Sequence, residues 1–201
     1  METIEKIKQH FNDSIHTKIM AADTLVEAIR QASEILVQSL LSNNKILTCG
    51  NGGSAANAQH FAEIMLNRFD TERPSLPAIA LSTGSITLTS IADDFHYADI
   101  FAKQIEAFGQ QNDVLILFSP HGNSKNILDA IETAHQRQLH VVALTGGDGG
   151  EVTTLLNPNT DVEIRVPSAS SARIQETHLL ITHCLCDAID QSLFATEEPS
   201  S

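Results

Sequence analysis

The chain is predicted to fold as an α/β domain, a doubly wound parallel sheet of about five strands preceded by helices. Short runs rich in Val, Ile and Leu recur without strict alternation, as parallel strands covered on both faces require. Segments with helical apolar spacing separate these runs, and strand–helix alternation of this kind builds a parallel sheet. Two of the runs also end in Ser/Gly turns that open directly into helices, the arrangement by which such sheets hold ligands at their strand ends.

The elements follow in order. Ile4, Ile7, Phe11, Ile15 and Ile19 step by three and four, so the first helix carries one apolar stripe that needs a cover. A second helix begins at Asp23 or Thr24, carries Leu25, Ile29, Ala32, Leu36 and Leu40, and ends near Asn43-Asn44. Strands are expected at 45–49, 78–82, 113–119, 140–145 and 161–166, with helices near 54–67, 99–108, 124–138 and 171–193. One domain therefore spans 1–194, with a helical region over about 1–43, and the acidic Pro/Ser-ended segment 195–201 reads as a disordered tail.

With 201 residues and 42% hydrophobic content, the chain is long enough for one full core. No stretch approaches the ~20 apolar residues of a membrane span, and the charged start from Met1 to Met20 is not a secretory signal. Cys49, Cys184 and Cys186 are an odd set in apolar contexts, which fits reduced thiols and a cytoplasmic location. The Cys184/Cys186 spacing invites a metal reading, but on a helix those two side chains diverge. A formal net charge of −13 argues against direct binding to nucleic acid and leaves a basic protein partner open. It also means that any anion site must be held by local dipoles against the global field.

Such a site is written into Cys49-Gly50-Asn51-Gly52-Gly53-Ser54 at the end of the first strand. Glycines admit a close backbone approach, Ser54 is placed to cap the next helix, and free N–H groups with the helix dipole favour phosphate. The pattern is neither GxGxxG nor the Walker form, since no Lys follows the glycines, so a small phosphorylated ligand is expected rather than a nucleotide. The third strand leads into a second such turn, Ser119-Pro120-His121-Gly122-Asn123-Ser124, and the fourth into Thr145-Gly146-Gly147-Asp148-Gly149-Gly150.

These turns, with Leu144-Thr145-Gly146 and Ala172-Arg173-Ile174-Gln175-Glu176, resemble a sugar isomerase (SIS) domain and, more narrowly, the phosphoheptose isomerase family. The resemblance covers nearly the whole chain. It implies a flavodoxin-like sandwich, a homotetramer and interconversion of sedoheptulose 7-phosphate with a heptose phosphate. It assigns phosphosugar binding to Asn51, Gly52, Gly53, Ser54, Ser119, Gly122, Asn123 and Ser124. Aldose–ketose isomerisation needs a base and a carbonyl-polarising acid or metal. The resemblance supplies these through zinc on a His and a Glu four residues later, with a Gln and a His on the last helix.

Here those positions are His60, Ile64, Gln175 and His183, so the carboxylate is missing. Glu63 is adjacent but points about 100° away around the helix. The catalytic set of an active enzyme is then His183 and Glu63, and the metal set is His60, Gln175 and His183. Gln175 and His183 lie roughly 12 Å apart along one helix, so a site sharing both needs two chains. Two further departures reduce the polar equipment. Pro120 removes a hydroxyl and an N–H from the phosphate turn, where His121 offers a donor, and Ala172 stands where the isomerases carry Asp.

The family also has a non-enzymatic branch, DiaA, which associates with the replication initiator DnaA. The stretches 54–62, 67–69, 71–81 and 171–173, and the end from Cys184-Leu185-Cys186-Asp187 to Leu193-Phe194, are closer to that branch, whereas His183 belongs to the enzymes. The first reading is therefore a phosphosugar-binding homotetramer that binds DnaA and promotes initiation, with Leu193 and Phe194 as anchors for the partner. The alternative is an active sedoheptulose 7-phosphate isomerase. Structural roles remain open for His60 and His183, as a satisfied and a half-buried histidine, and for Glu63 as an ion-paired surface residue.

Overall fold

The computed structural model describes residues 2–194. Five strands, β1 (Ile46–Gly50), β2 (Ala78–Ala80), β3 (Val114–Phe118), β4 (His140–Gly146) and β5 (Val162–Val166), form one parallel sheet in the order β2-β1-β3-β4-β5. This is the flavodoxin-like order, whose reversal between β1 and β3 opens a crevice at the carboxyl edge. In β1, Ile46 points to one face of the sheet and Leu47 and Cys49 to the other. Each face meets its own helices, which is why the runs are apolar throughout.

On one face, α1 (Thr3–Thr24), α2 (Val26–Leu41), α3 (Gly53–Leu66) and α8 (Ser171–Phe194) enclose a core built on Leu36, Phe61, Met65 and Ile189. On the other, α4 (Ser85–Asp94), α5 (Ala102–Phe108), α6 (Lys125–Gln136) and α7 (Val152–Leu155) cover Leu115, Leu117 and Val141. The helix α4 was not anticipated, because it contains no buried residue and only Leu88, Ile91 and Ala92 pack part-way against the core. The α1 stripe turns outward. Ile4, Ile7, Phe11, Ile15 and Ile19 are 52–68% exposed, while the helix rests on the chain through Thr17 and Ala21. Segment 195–201, read above as a disordered tail, lies outside the described residues.

The carboxyl-edge helices are tied together by buried charge. The Arg73 side chain, 1% exposed, donates Nε–H to Asp190 Oδ1 on α8 at 2.6 Å. Its other nitrogens donate to the carbonyls of Ile64 and Met65 at the end of α3. These carbonyls have no partner within the helix, and the guanidinium both satisfies them and neutralises the negative end of the dipole. Leu193 packs half-buried on the same core, and the Phe194 ring lies 6.0 Å from the Arg73 guanidinium carbon. Both proposed anchors are thus engaged within the chain. Cys186 is buried and Cys184 exposed, on diverging faces of α8, and burial pushes the Cys186 thiol up to about 12.

Deeper in α8, fully buried His178 donates Nε2–H to the Thr145 carbonyl at 2.9 Å, and its Nδ1 has no partner. Burial holds its pKa down at about 4 against an ordinary 6.5, with the Thr145 bond opposing only weakly.

Two predictions follow from this packing. Asp190→Ala leaves the Arg73 charge buried and alone, so the urea midpoint should fall by the equivalent of about 3 kcal/mol. For His178, the unfolded chain takes up a proton near 6.5 that the native chain refuses until about 4. Stability should therefore decline as pH falls through that window, with a flat contribution above it. The His178 imidazole signals, followed by NMR, should stay those of the neutral ring at pH 5.5.

Candidate active site

Three helices begin around one cleft of about 190 Å³ at the β1/β3 crevice. The β1–α3 turn contributes Asn51 and Ser54, and the β3–α6 turn contributes Phe118, Ser119, Pro120, His121 and Ser124. The start of α8 adds Ser171 and Gln175. Ser54 lies in the first turn of α3, Ser124 is the residue before α6, and Ser171 opens α8. Three sets of free N–H groups and three positive dipole ends therefore share one cavity, a local answer to the acidic net charge.

The expected role of Ser54 as a helix cap is corrected. Gly52, at φ +56°, precedes the helix, and Ser54 sits inside it. Its Oγ is buried in a residue 1% exposed and has no hydrogen-bond partner in the chain. A buried hydroxyl without a partner costs about 1–3 kcal/mol unless a ligand or water meets it. Ser119 Oγ already accepts the Gly122 N–H at 3.2 Å.

The other predicted phosphosugar residues take supporting positions. Gly53 lets α8 approach, since a Cβ there would stand 2.6 Å from Gln175 Oε1. Gly122, at φ +64°, packs so tightly that a Cβ would lie 1.9 Å from the Gly149 carbonyl oxygen. The Asn123 side chain turns away from the cleft, its Oδ1 accepting the Glu151 N–H at 2.9 Å. The glycine-rich turn after β4 thus serves as a buttress for the Ser/Gly turn after β3. Asn51 exchanges two 2.8 Å amide bonds with Asn126 and accepts the Tyr97 hydroxyl at 3.1 Å. Asn126, Tyr97 and Ser171 were not anticipated, because no local motif marks a partner so distant in sequence.

Farther along α3 and α8 lies a histidine pair. His60 Nε2 and His183 Nε2 stand 3.1 Å apart, although 123 residues separate them. Burial, then the neighbouring His60, holds the His183 pKa below its ordinary value, so the ring is neutral near pH 7. Glu63 approaches the other nitrogen of His60, with Oε2 3.6 Å from Nδ1, and remains largely exposed. Ile64 is 4% exposed within the core, where no carboxylate would be accommodated without a partner. Gln175 is in the phosphate-type cleft and not beside His183; its backbone carbonyl accepts the Asn57 side chain at 3.0 Å.

Two facing imidazole nitrogens 3.1 Å apart suit a shared zinc, whose Zn–N bonds of about 2.0–2.1 Å at tetrahedral angles set similar spacings. Among the described residues, no group of three His, Cys, Asp or Glu completes a metal site within one chain.

Residues 10–146 match the family described as SIS domain. A phosphoheptose isomerase from Coxiella burnetii is 56% identical over 198 residues, covering 98% of this chain and 99% of that protein. The chain belongs to the phosphoheptose isomerase family. The structure of a phosphoheptose isomerase from Francisella tularensis superposes with a TM-score of 0.93 at 46% identity, covering 95% of this chain and 100% of that one. For the enzyme from Neisseria gonorrhoeae the TM-score is 0.90 at 45% identity, covering 94% and 100%. These relatives carry the isomerase name, so the initiator-binding reading drawn from short stretches finds no support among them. Among the described residues no helix is long and apolar enough to cross a membrane.

Gly122→Ala should separate the two packed turns. We expect a stability loss above ~2 kcal/mol by denaturant titration, since both the positive φ and the Gly149 clash oppose a side chain.

Proposed function

We propose that the protein is a phosphosugar aldose–ketose isomerase acting on sedoheptulose 7-phosphate. The observation that carries this reading is the cleft itself, in which three serine-bearing helix N-termini surround the unpartnered Ser54 hydroxyl. The phosphate sits there, with Ser54, Ser119 and Ser124 as hydroxyl ligands. From Gly53 to His60 is seven residues of helix, a rise of about 10 Å, which is the scale of an extended sugar phosphate. The carbonyl end then reaches the His60–His183 pair.

Isomerisation moves a proton between C1 and C2 and returns one between the two oxygens. With Nε2 free of metal, neutral His183 is the base that takes the carbon-bound proton and gives it back at the neighbouring carbon. His60 stands beside it to hold or pass the oxygen-bound proton. Glu63, facing Nδ1, orients that ring rather than replacing the carboxylate lost at Ile64. When bound, zinc on His60 and His183 would polarise the substrate carbonyl. Gln175 is too far along α8 to share an ion with His183 of its own chain, so a metal site using both would join two copies of the chain. The exposed α1 stripe supports association of copies of the chain, for which the family resemblance implies a homotetramer, because soluble monomers rarely leave such a continuous apolar face uncovered.

The test is turnover of sedoheptulose 7-phosphate by the purified protein, with and without zinc. His183→Ala should lower the rate by at least about 100-fold while leaving the assembly intact. Absence of turnover by the folded wild-type assembly would sink the isomerase reading and make binding to DnaA the next measurement.

A further inference from the structure

Ser171 and His121 are left over from that account, and they meet at the cleft. Ser171 Oγ and His121 Nε2 stand 2.8 Å apart, and both residues line the cavity opposite the unpartnered Ser54. His121 carries the only ionisable side chain in the lining. Pro120, next to it, can supply neither a hydroxyl nor an N–H. Pro120 therefore leaves this turn one donor short, and the Ser171–His121 pair stands beside it in the lining.

We propose that Ser171 is a hydroxyl ligand of the substrate phosphate, held in a donating orientation by His121. This rests on the phosphate reading of the cleft given above. With Nε2–H of His121 directed at Ser171 Oγ, the serine's own proton is free to point at an anion. Donation into the oxygen strengthens that hydroxyl as a donor in turn. An anion in the cleft then meets Ser54 from α3, Ser124 before α6 and Ser171 from α8, one hydroxyl from each converging helix. His121 acts through Ser171 as a positioning residue, and it restores to the cradle what the proline takes away.

The experiment measures inorganic phosphate and, separately, sedoheptulose 7-phosphate binding by calorimetry on the full-length assembled protein, which does not require turnover. Ser54→Ala is the control for the cleft. Ser171→Ala should weaken both ligands about tenfold, as expected for one hydrogen bond to a charged group. His121→Ala should produce a similar loss, the double variant should lose little more than either single one, and His121→Gln should recover most of the affinity. A merely structural role would not give that non-additivity together with rescue.

If Ser54→Ala loses affinity while Ser171→Ala and His121→Ala bind within twofold of the wild type, the proposal is overturned and the cleft reading stands. Additive losses in the double variant would likewise overturn the positioning of one residue by the other. If none of the variants, Ser54→Ala included, changes binding, both the cleft reading and this proposal fall.

Discussion

A guanidinium almost without solvent contact lies between the end of α3 and the flank of α8, and it fixes from the far end the two helices that open at the carboxyl edge. Arg73 binds the last carbonyls of α3 on one side and Asp190 on the other. Because each charge has been taken out of water, neither helix can shift without leaving one of them unpaired, a change that costs several kcal/mol. That constraint keeps the two helices in register over their length. Gly53 then meets Gln175 near their starts, and His60 meets His183 farther along. The cleft and the histidine pair are two stations on the same pair of rails.

The electrostatics of the cleft are local by necessity. A chain with a net charge of −13 repels a phosphate at long range. What would attract it at close range, in the proposed role of the cleft, is the sum of three helix N-termini, effective within about a turn of each helix. The glycines serve this indirectly. Their value lies in close packing of the turns on one another and on Gln175, more than in contact with a ligand. A hydroxyl kept without a partner in a buried place, as at Ser54, is costly to an empty protein and useful to one that binds an oxyanion.

At position 64, where the family resemblance implies a carboxylate, this chain carries an isoleucine that is settled into the fold. Ile64 is packed within the core, and its carbonyl accepts from Arg73. The carboxylate at position 63 instead reaches the outer nitrogen of His60. In the proposed isomerisation, proton movement then falls to imidazoles, and burial followed by the neighbouring His60 holds the His183 pKa below its ordinary value.

Much of this was legible in the chain. Apolar runs without alternation specify strands covered on both faces, and Ser/Gly turns after them mark where helices open at one edge of the sheet, because these follow from local periodicity and backbone chemistry. Local signals could not reveal α4, whose residues are never fully buried. Nor could they tell that Asn123 braces a neighbouring turn while Ser171 joins the cleft, or that the α1 stripe faces outward. The family resemblance grouped His60 with His183, but no local signal did, since contact across 123 residues depends on how two helices pack. The sequence by itself determined the elements, their order and the chemistry available at each strand end. Only the tertiary structure decided which side chains share a cavity, because that depends on helix registry set by buried packing and by the Arg73–Asp190 pair.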